Sequence, residues 1–317
     1  MNVFITGATG YIGFGVAQAF RRAGHQVWGL TRSAAKATVL AQQEIRPVIG
    51  SLQQPESYEA AAEQCTVLIH CAADYQNDWA AVDRQTIETL LVASQRGLQP
   101  KTLVYTSGSW VYGDTGGRRV DETAVPVQFV IGPHRPEIER QVLGSTHVRG
   151  LVIRPAMVYG KRGGMTGTWF AEAARDKALH IPGDGHNHTA LIHIEDLAQG
   201  YVRAVESKAK GEVFNFADKS HATLRDLATA AARAAGFTGP IQFMPRSLAA
   251  KRMGLDAEAY TLDLLIDAGK AQRLLGWEPK HYLFIDEVDT YFKAWQAWQD
   301  HPFVIAQAEP EREMVLA

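Results

Sequence analysis

Two patterns of apolar positions alternate through the first half of the chain. Short runs rich in Val, Ile and Leu stand at residues 3–6, 26–31, 46–49, 67–70 and 102–106. Unbroken apolar character over so few residues predicts strands buried on both faces. Between them, apolar residues recur at helical spacing. Over 11–24 these are Ile12, Val16, Ala19, Phe20 and Ala23, with Gly24 placed to end the helix. The same spacing predicts helices over 34–43, 56–63 and 82–96. Strand and helix alternating at this period predict an α/β fold, a Rossmann-type doubly wound parallel sheet. Residues 150–154 form a further strand, stopped by Pro155.

The second half is less regular. A helix is predicted over 194–205, and a strand over 213–216 that returns to the sheet. An Ala-rich helix spans 223–235, opened by Thr223 and closed by Gly236. The last helix covers 286–298, and the charged stretch 309–317 is expected to be loosely held. No repeat or low-complexity linker divides the chain. The expected organisation is a nucleotide-binding domain over 1–160, with 190–218 returning to it. A smaller, segment-built C-terminal substrate lobe takes 161–189 and 219–317.

At 317 residues the chain is long enough to bury a large core without disulfides or metal. Its 32 basic and 34 acidic side chains nearly balance, so there is no electrostatic footprint for nucleic acid or an anionic membrane. Cys65 and Cys71 are the only cysteines. They exclude a disulfide scaffold and a four-cysteine zinc site, and are expected to be reduced and buried in a cytoplasmic protein. No apolar run is long enough for a membrane span, and no leader pattern opens the sequence.

Thr6-Gly7-Ala8-Thr9-Gly10-Tyr11-Ile12-Gly13 follows the first strand and opens the first helix. Gly7 permits the tight turn, Gly10 lets a pyrophosphate approach the backbone, and Gly13 lets the helix pack closely on the strand. The anion then meets free N–H groups at the helix N-terminus, around Thr9, Tyr11 and Ile12. The second strand ends Leu30-Thr31-Arg32-Ser33, without the carboxylate that holds the ribose 2′-hydroxyl of NAD. Arg32 can pair with a 2′-phosphate and Ser33 can add a hydrogen bond, so NADP(H) is preferred over NAD(H).

Further segments complete a pattern. They are His70-Cys71-Ala72-Ala73, the run from Tyr105 to Gly113 ending Val111-Tyr112-Gly113, Arg154-Pro155-Ala156-Met157-Val158-Tyr159-Gly160, the run from Leu191 to Ala198, and Leu275-Gly276-Trp277-Glu278-Pro279. In this order, after the glycine turn, they resemble the extended or atypical short-chain dehydrogenase/reductases, the NAD(P)-dependent epimerase/dehydratase superfamily. The resemblance implies that Ala72 and Ala73 line the nicotinamide ribose. It also implies that the backbone of Pro155, Ala156, Met157 and Val158 approaches the carboxamide.

Such enzymes usually transfer hydride with a Tyr-x-x-x-Lys pair and a Ser or Thr. Aligning Glu139 and Val142 with the family helix puts Arg135 at the Lys position and Ile131 at the Tyr position. Gly108 takes the Ser/Thr position. Arg135 can hold the ribose but cannot relay a proton. The proton-transfer candidates are therefore His134, Tyr112, Ser107 and Ser109. Tyr75, Asn77 and Trp79 are candidates for substrate contact. Gly163, Gly164 and Gly167 suggest a flap. His186, His188, His193, Glu195 and Asp196 crowd one segment, but their spacing does not supply a tetrahedral set, and no metal is expected.

The function these readings imply is an NADP(H)-binding oxidoreductase acting on a small carbonyl/alcohol substrate. The alternatives are a sugar-nucleotide epimerase/dehydratase and a non-catalytic NADP(H) redox-sensing regulator. The implied partners are a small-molecule substrate and a second copy in a homodimer.

Overall fold

A computed structural model describes residues 1–300 apart from Gln76, Gly97, Leu98 and Lys177. The stretch 309–317 lies outside the described residues. The central sheet contains β1 (Asn2–Thr6), β2 (Gln26–Thr31), β3 (Arg46–Ile49), β4 (Val67–His70), β5 (Lys101–Thr106), β6 (Val148–Pro155) and β7 (Glu212–Phe216). Their order is β7-β6-β5-β4-β1-β2-β3, and every neighbouring pair is parallel.

Side chains alternate across the sheet, as strand geometry requires. Val3 and Ile5 of β1 join one apolar cluster, and Phe4 between them joins another. The first cluster takes in α1 (Tyr11–Arg22) and α7 (Ile194–Glu206). The second takes in α4 (Trp79–Gln95) and α5 (Arg135–Gly144). The short helices α2 (Ala34–Gln42) and α3 (Glu59–Glu63) complete the winding. Helices therefore cover both faces, which is why the strands read as unbroken apolar runs. Asp78 caps α4 by accepting from Ala81 N at 3.1 Å. That cap starts the helix at Trp79, ahead of the expected residue 82.

A third apolar cluster gathers separate stretches of the chain. It includes Tyr159, Trp169 and Phe170, then Leu224 and Leu227, then Phe284, Tyr291 and Trp295. The glycines expected to form a flap lead instead into a packed helix, α6 (Met165–Ala171), with Met165, Thr166, Gly167, Trp169 and Phe170 buried. Two large aromatic side chains drive that segment inward. The helix α8 (Leu224–Ala234) opens with a reciprocal cap between Thr223 and Asp226. The remaining helices are α9 (Arg246–Met253), α10 (Asp256–Tyr260), α11 (Gly269–Leu275) and α12 (Val288–Asp300). Among the described residues no helix is long and apolar enough to cross a membrane.

Candidate functional site

The glycine turn lies at the carboxyl edge of the sheet, where the strand order reverses between β1 and β4. Ligands of doubly wound sheets settle at such a crevice. Gly7 has φ +68°, and a Cβ there would lie 2.7 Å from the amide nitrogen of Ala72. At Gly13 a Cβ would lie 2.1 Å from Gly7 O, so α1 approaches the turn as only glycine permits. Gly10 is exposed and caps α1 without a side chain. The first helical bond runs from Phe14 N to Gly10 O at 3.0 Å. The amides of Tyr11, Ile12 and Gly13 stand ahead of it. Backbone donors ahead of the first helical bond, the positive end of a helix and no Cβ in the way fit a diphosphate.

Arg32 is exposed at the tip of β2. Ser33 Oγ accepts from Lys36 N at 3.2 Å, capping α2, and its hydroxyl proton remains a donor. Ala72 and Ala73 follow β4 beside Gly7. Pro155, Ala156 and Met157 meet Ser109, Trp110 and Met165 around a narrow crevice. Val158 beside them is buried. The structure thus brings the expected cofactor residues to one edge of the sheet.

A buried polar chain runs inward from the turn. Thr6 Oγ1 lies 2.6 Å from His70 Nδ1, and His70 Nε2 lies 2.5 Å from Asp83 Oδ1. Asp83 Oδ2 accepts from the Tyr105 hydroxyl at 2.7 Å and from His134 Nε2 at 3.0 Å. Burial opposes ionisation of Asp83. Hydrogen bonds from His134, His70 and Tyr105 outweigh it and hold the carboxyl well below the usual range. Tyr105 is pushed up, by burial and then by the Asp83 charge. With Nε2 donating, Nδ1 is the acceptor of His134, and it is buried without a partner among the described residues.

The next residue, Arg135, opens α5. It is buried, with its guanidinium carbon 4.9 Å from the Trp79 ring centre and Nε without a partner among the described residues. Its positive charge is felt at Tyr75, Tyr105 and Tyr201. Trp79 packs edge-on against both His134 and Tyr75, each at 4.8 Å. Ile131 and Arg135 do not share a helix, because α5 begins at Arg135 and Ile131 lies in a bend before it. Gly132, at φ +74°, breaks the run between them. Asp83 is a site residue that the motifs did not reveal. Its one sequence signal is a carboxylate on the same helix face as Ile87 and Leu90.

Tyr112 is differently placed from the other proton-transfer candidates. Its hydroxyl donates to Asn215 Oδ1 at 2.8 Å and accepts from Arg154 Nη1 at 2.8 Å. Burial, opposed by Arg154, takes the phenol up to about 12. Arg154 also grips Glu139 with Nε and Nη2. Ser107 Oγ is buried without a partner among the described residues, and Ser109, also buried, lines the narrow crevice beside Pro155.

Of the residues that suggested a metal, His188 pairs with Asp263 at 2.8 Å, and His193 and Glu195 come together with His281. The His193 and His281 rings stack 3.6 Å apart at 22°. Nitrogen lone pairs lie in the ring planes, so two nearly parallel rings cannot both point at one ion. Lys161 Nζ also lies 2.5 Å from Glu195 Oε1, so that carboxylate already pairs with a cation.

This geometry agrees with three kinds of similarity. The profile of the NAD dependent epimerase/dehydratase family matches residues 3–217. The chain is 30% identical over 307 residues to the 3-diazoavenalumate denitrifying reductase of a Streptomyces species, covering 89% of this chain and 97% of that protein. It is 27% identical to the 4-hydroxy-2-methyl-3-oxo-4-farnesyl-3,4-dihydroquinoline-1-oxide ketoreductase of Stigmatella aurantiaca, covering 77% and 76%. Among solved structures, UDP-glucose 4-epimerase of Thermotoga maritima superposes with a TM-score of 0.80 at 20% identity, covering 94% of this chain and all of that one. The dTDP-glucose 4,6-dehydratase of Bacillus anthracis superposes with a TM-score of 0.80 at 18% identity, covering 95% and 98%. These two likenesses concern the fold. The chain belongs to the NAD dependent epimerase/dehydratase family.

Proposed function

We propose that the protein is an NADP(H)-dependent oxidoreductase that interconverts a carbonyl and an alcohol, or performs related hydride chemistry, on a small organic substrate. The observation that carries this reading is the glycine turn. Gly7 and Gly13 leave no room for a Cβ, and the mouth of α1 faces the switch point of the sheet. When bound, the nicotinamide supplies or accepts the hydride. Gly7, Thr9, Gly10, Tyr11, Ile12 and Gly13 surround the diphosphate in this reading. Arg32 and Ser33 take the 2′-phosphate, and Arg135 takes the nicotinamide ribose.

The proton carrier we favour is His134. Asp83 fixes its ring and holds the proton on Nε2. Nδ1 then gains or loses the second proton, the division of labour seen wherever a carboxylate orients a catalytic imidazole. Tyr112 leaves the set of acids, since its hydroxyl is committed to Arg154 and Asn215. Tyr75 and Trp79 wall the substrate side. Residues 161–189 and 219–317 would form the substrate lobe, and the assembly we expect is a cytoplasmic homodimer. The reductase names among the relatives favour hydride transfer over sugar-nucleotide epimerisation, which also begins with removal of a hydroxyl proton.

Titration of the purified protein with NADPH and NADH tests the cofactor assignment. NADPH should bind at least about tenfold tighter, and Arg32→Ala should abolish the difference by removing a charge-assisted hydrogen bond worth ~1.5–3 kcal/mol. Equal affinities in the wild type overturn the preference, and no binding overturns the function. Consumption of NADPH across a panel of aldehydes, ketones and sugar nucleotides tests turnover. A second reading, a redox-sensing regulator, follows from the alignment that expects Ile131 and Gly108 at the usual catalytic positions. Unequal affinity for NADP and NADPH, with no turnover on the panel, would select it.

A further inference from the structure

A buried cation needs an anion, and Arg135 has none among the described residues. The residue is 8% exposed. It makes no hydrogen bond or ion pair there, and its Nε is a buried donor without an acceptor. The face of the Trp79 indole attracts the guanidinium but carries no counter-charge. A charge buried in this way is costly to the fold, so stability does not explain it.

The position is nonetheless closely built. Gly132, at φ +74°, packs on the arginine where a larger residue could not. A Cβ there would lie 3.0 Å from Arg135 Cδ and 3.1 Å from both Arg135 Nε and Trp79 Cη2. The side chain is thus held between that glycine and the indole. Trp79 Nε1 is likewise buried without a partner among the described residues. The same indole packs edge-on against His134, whose Nδ1 also lacks one. Two donors in want of an acceptor therefore share one ring with the proton carrier. The carboxylates of the chain that come nearest are engaged or out of reach. Both oxygens of Asp83 are taken by His70, Tyr105 and His134. Glu139, one turn along α5, is gripped by Arg154. Asp256 acts on Tyr75, but burial alone shifts its own carboxyl, up to about 6, with no cation contributing.

We propose that Arg135 binds a carboxylate of the substrate, with Trp79 Nε1 as a second donor, and that the substrates are oxo acids and the matching hydroxy acids. The proposal rests on the oxidoreductase reading above and names the substrate class of that site. Ribose hydroxyls are neutral. They can share the N–H groups of the guanidinium but cannot balance its charge. A carboxylate matches it in both charge and plane. Because His134 and Arg135 flank one indole, the carboxylate stands close to the reacting carbonyl, as in a 2-oxo or 3-oxo acid. It takes no part in the bond changes; it fixes which way the carbonyl faces.

Calorimetric titration of the protein's complex with NADP, which cannot reduce a ketone, tests the assignment. The probes are benzoylformate, freshly prepared benzoylacetate and their methyl esters. At least one acid should bind about tenfold tighter than its ester, equivalent to ~1.4 kcal/mol. Arg135→Met keeps the length of the side chain without the charge and should abolish the difference. Trp79→Phe keeps a ring without Nε1 and should shrink it. Without ligands, Arg135→Met should unfold at no lower temperature than the wild type, since it removes an unpaired buried charge. Acids and esters that bind alike, or acids that do not bind, overturn the proposal and leave the cofactor reading standing. A preference for acids that survives Arg135→Met also overturns it. So does a lowered unfolding midpoint, since the guanidinium then serves the fold. Wild-type protein that binds no NADP overturns the cofactor reading first and this proposal with it.

Discussion

A carboxylate buried in mid-helix stays ionised only when its hydrogen bonds outweigh the cost of desolvation. Asp83 has three such bonds, from His70, Tyr105 and His134. The last of them turns a histidine into a candidate proton carrier, and it can be tested without disturbing the carboxylate. His134→Gln retains an amide donor for Asp83 but removes the imidazole. We expect kcat to fall by about 10²-fold or more while the dissociation constant for NADPH changes little. A kcat within a factor of two of the wild type would move the acid/base role elsewhere. At this scale the sequence was readable where chemistry is local. The turn of Gly7, Gly10 and Gly13 sits within a single loop, and its close packing is written in three glycines. Asp83 was not, because its partners stand 13, 22 and 51 residues away and no short motif contains them.

Among the elements, the strands were readable because helices bury both faces of the sheet and leave apolar runs in the sequence. The α6 segment was misread because its glycines outweighed Trp169 and Phe170, whose burial depends on contacts from distant α8 and α12 residues. Where two elements meet, glycine can be required by packing alone, with no ligand involved. Gly150 of β6 is such a case. A Cβ there would lie 2.1 Å from Val142 O of α5. Gly150→Ala should therefore push α5 from the sheet and destabilise the fold by ~1–3 kcal/mol. Thermal unfolding should show a lowered midpoint. The folded fraction should keep wild-type affinity for adenosine 2′-monophosphate, whose expected ligands Arg32 and Ser33 lie at the far end of the sheet. An unchanged midpoint would mean that β6 and α5 separate at little cost.

In the whole molecule, one junction fastens the C-terminal segments to the sheet. Trp277 Nε1 donates to Asp196 O at 2.9 Å, His281 N donates to Asp196 Oδ2 at 3.0 Å, and the His281 ring lies over His193. The two imidazoles titrate in opposite directions. Hydrogen bonding to Asp196, against burial and with the charges of Asp196 and Glu195, raises His281. Burial, and then the charge of His281, lowers His193 to about 4. The stability from His281 is therefore fully present below the unfolded imidazole value of about 6.5, and is lost as pH rises through its raised folded value. His193 acts the other way. Below about 6.5 the unfolded chain takes a proton that folded His193 refuses, so its contribution falls with pH. At pH 6 folded His193, held at about 4, is neutral in the wild type, so the charge at the junction is that of His281. The unfolding midpoint of His281→Gln should accordingly trail the wild type by more at pH 6 than at pH 9. An equal deficit at both values would mean that His281 holds the junction by packing alone. A deficit that vanishes at pH 9 would mean that its charge, attracted to Asp196 and Glu195, is what fastens the C-terminal segments to α7.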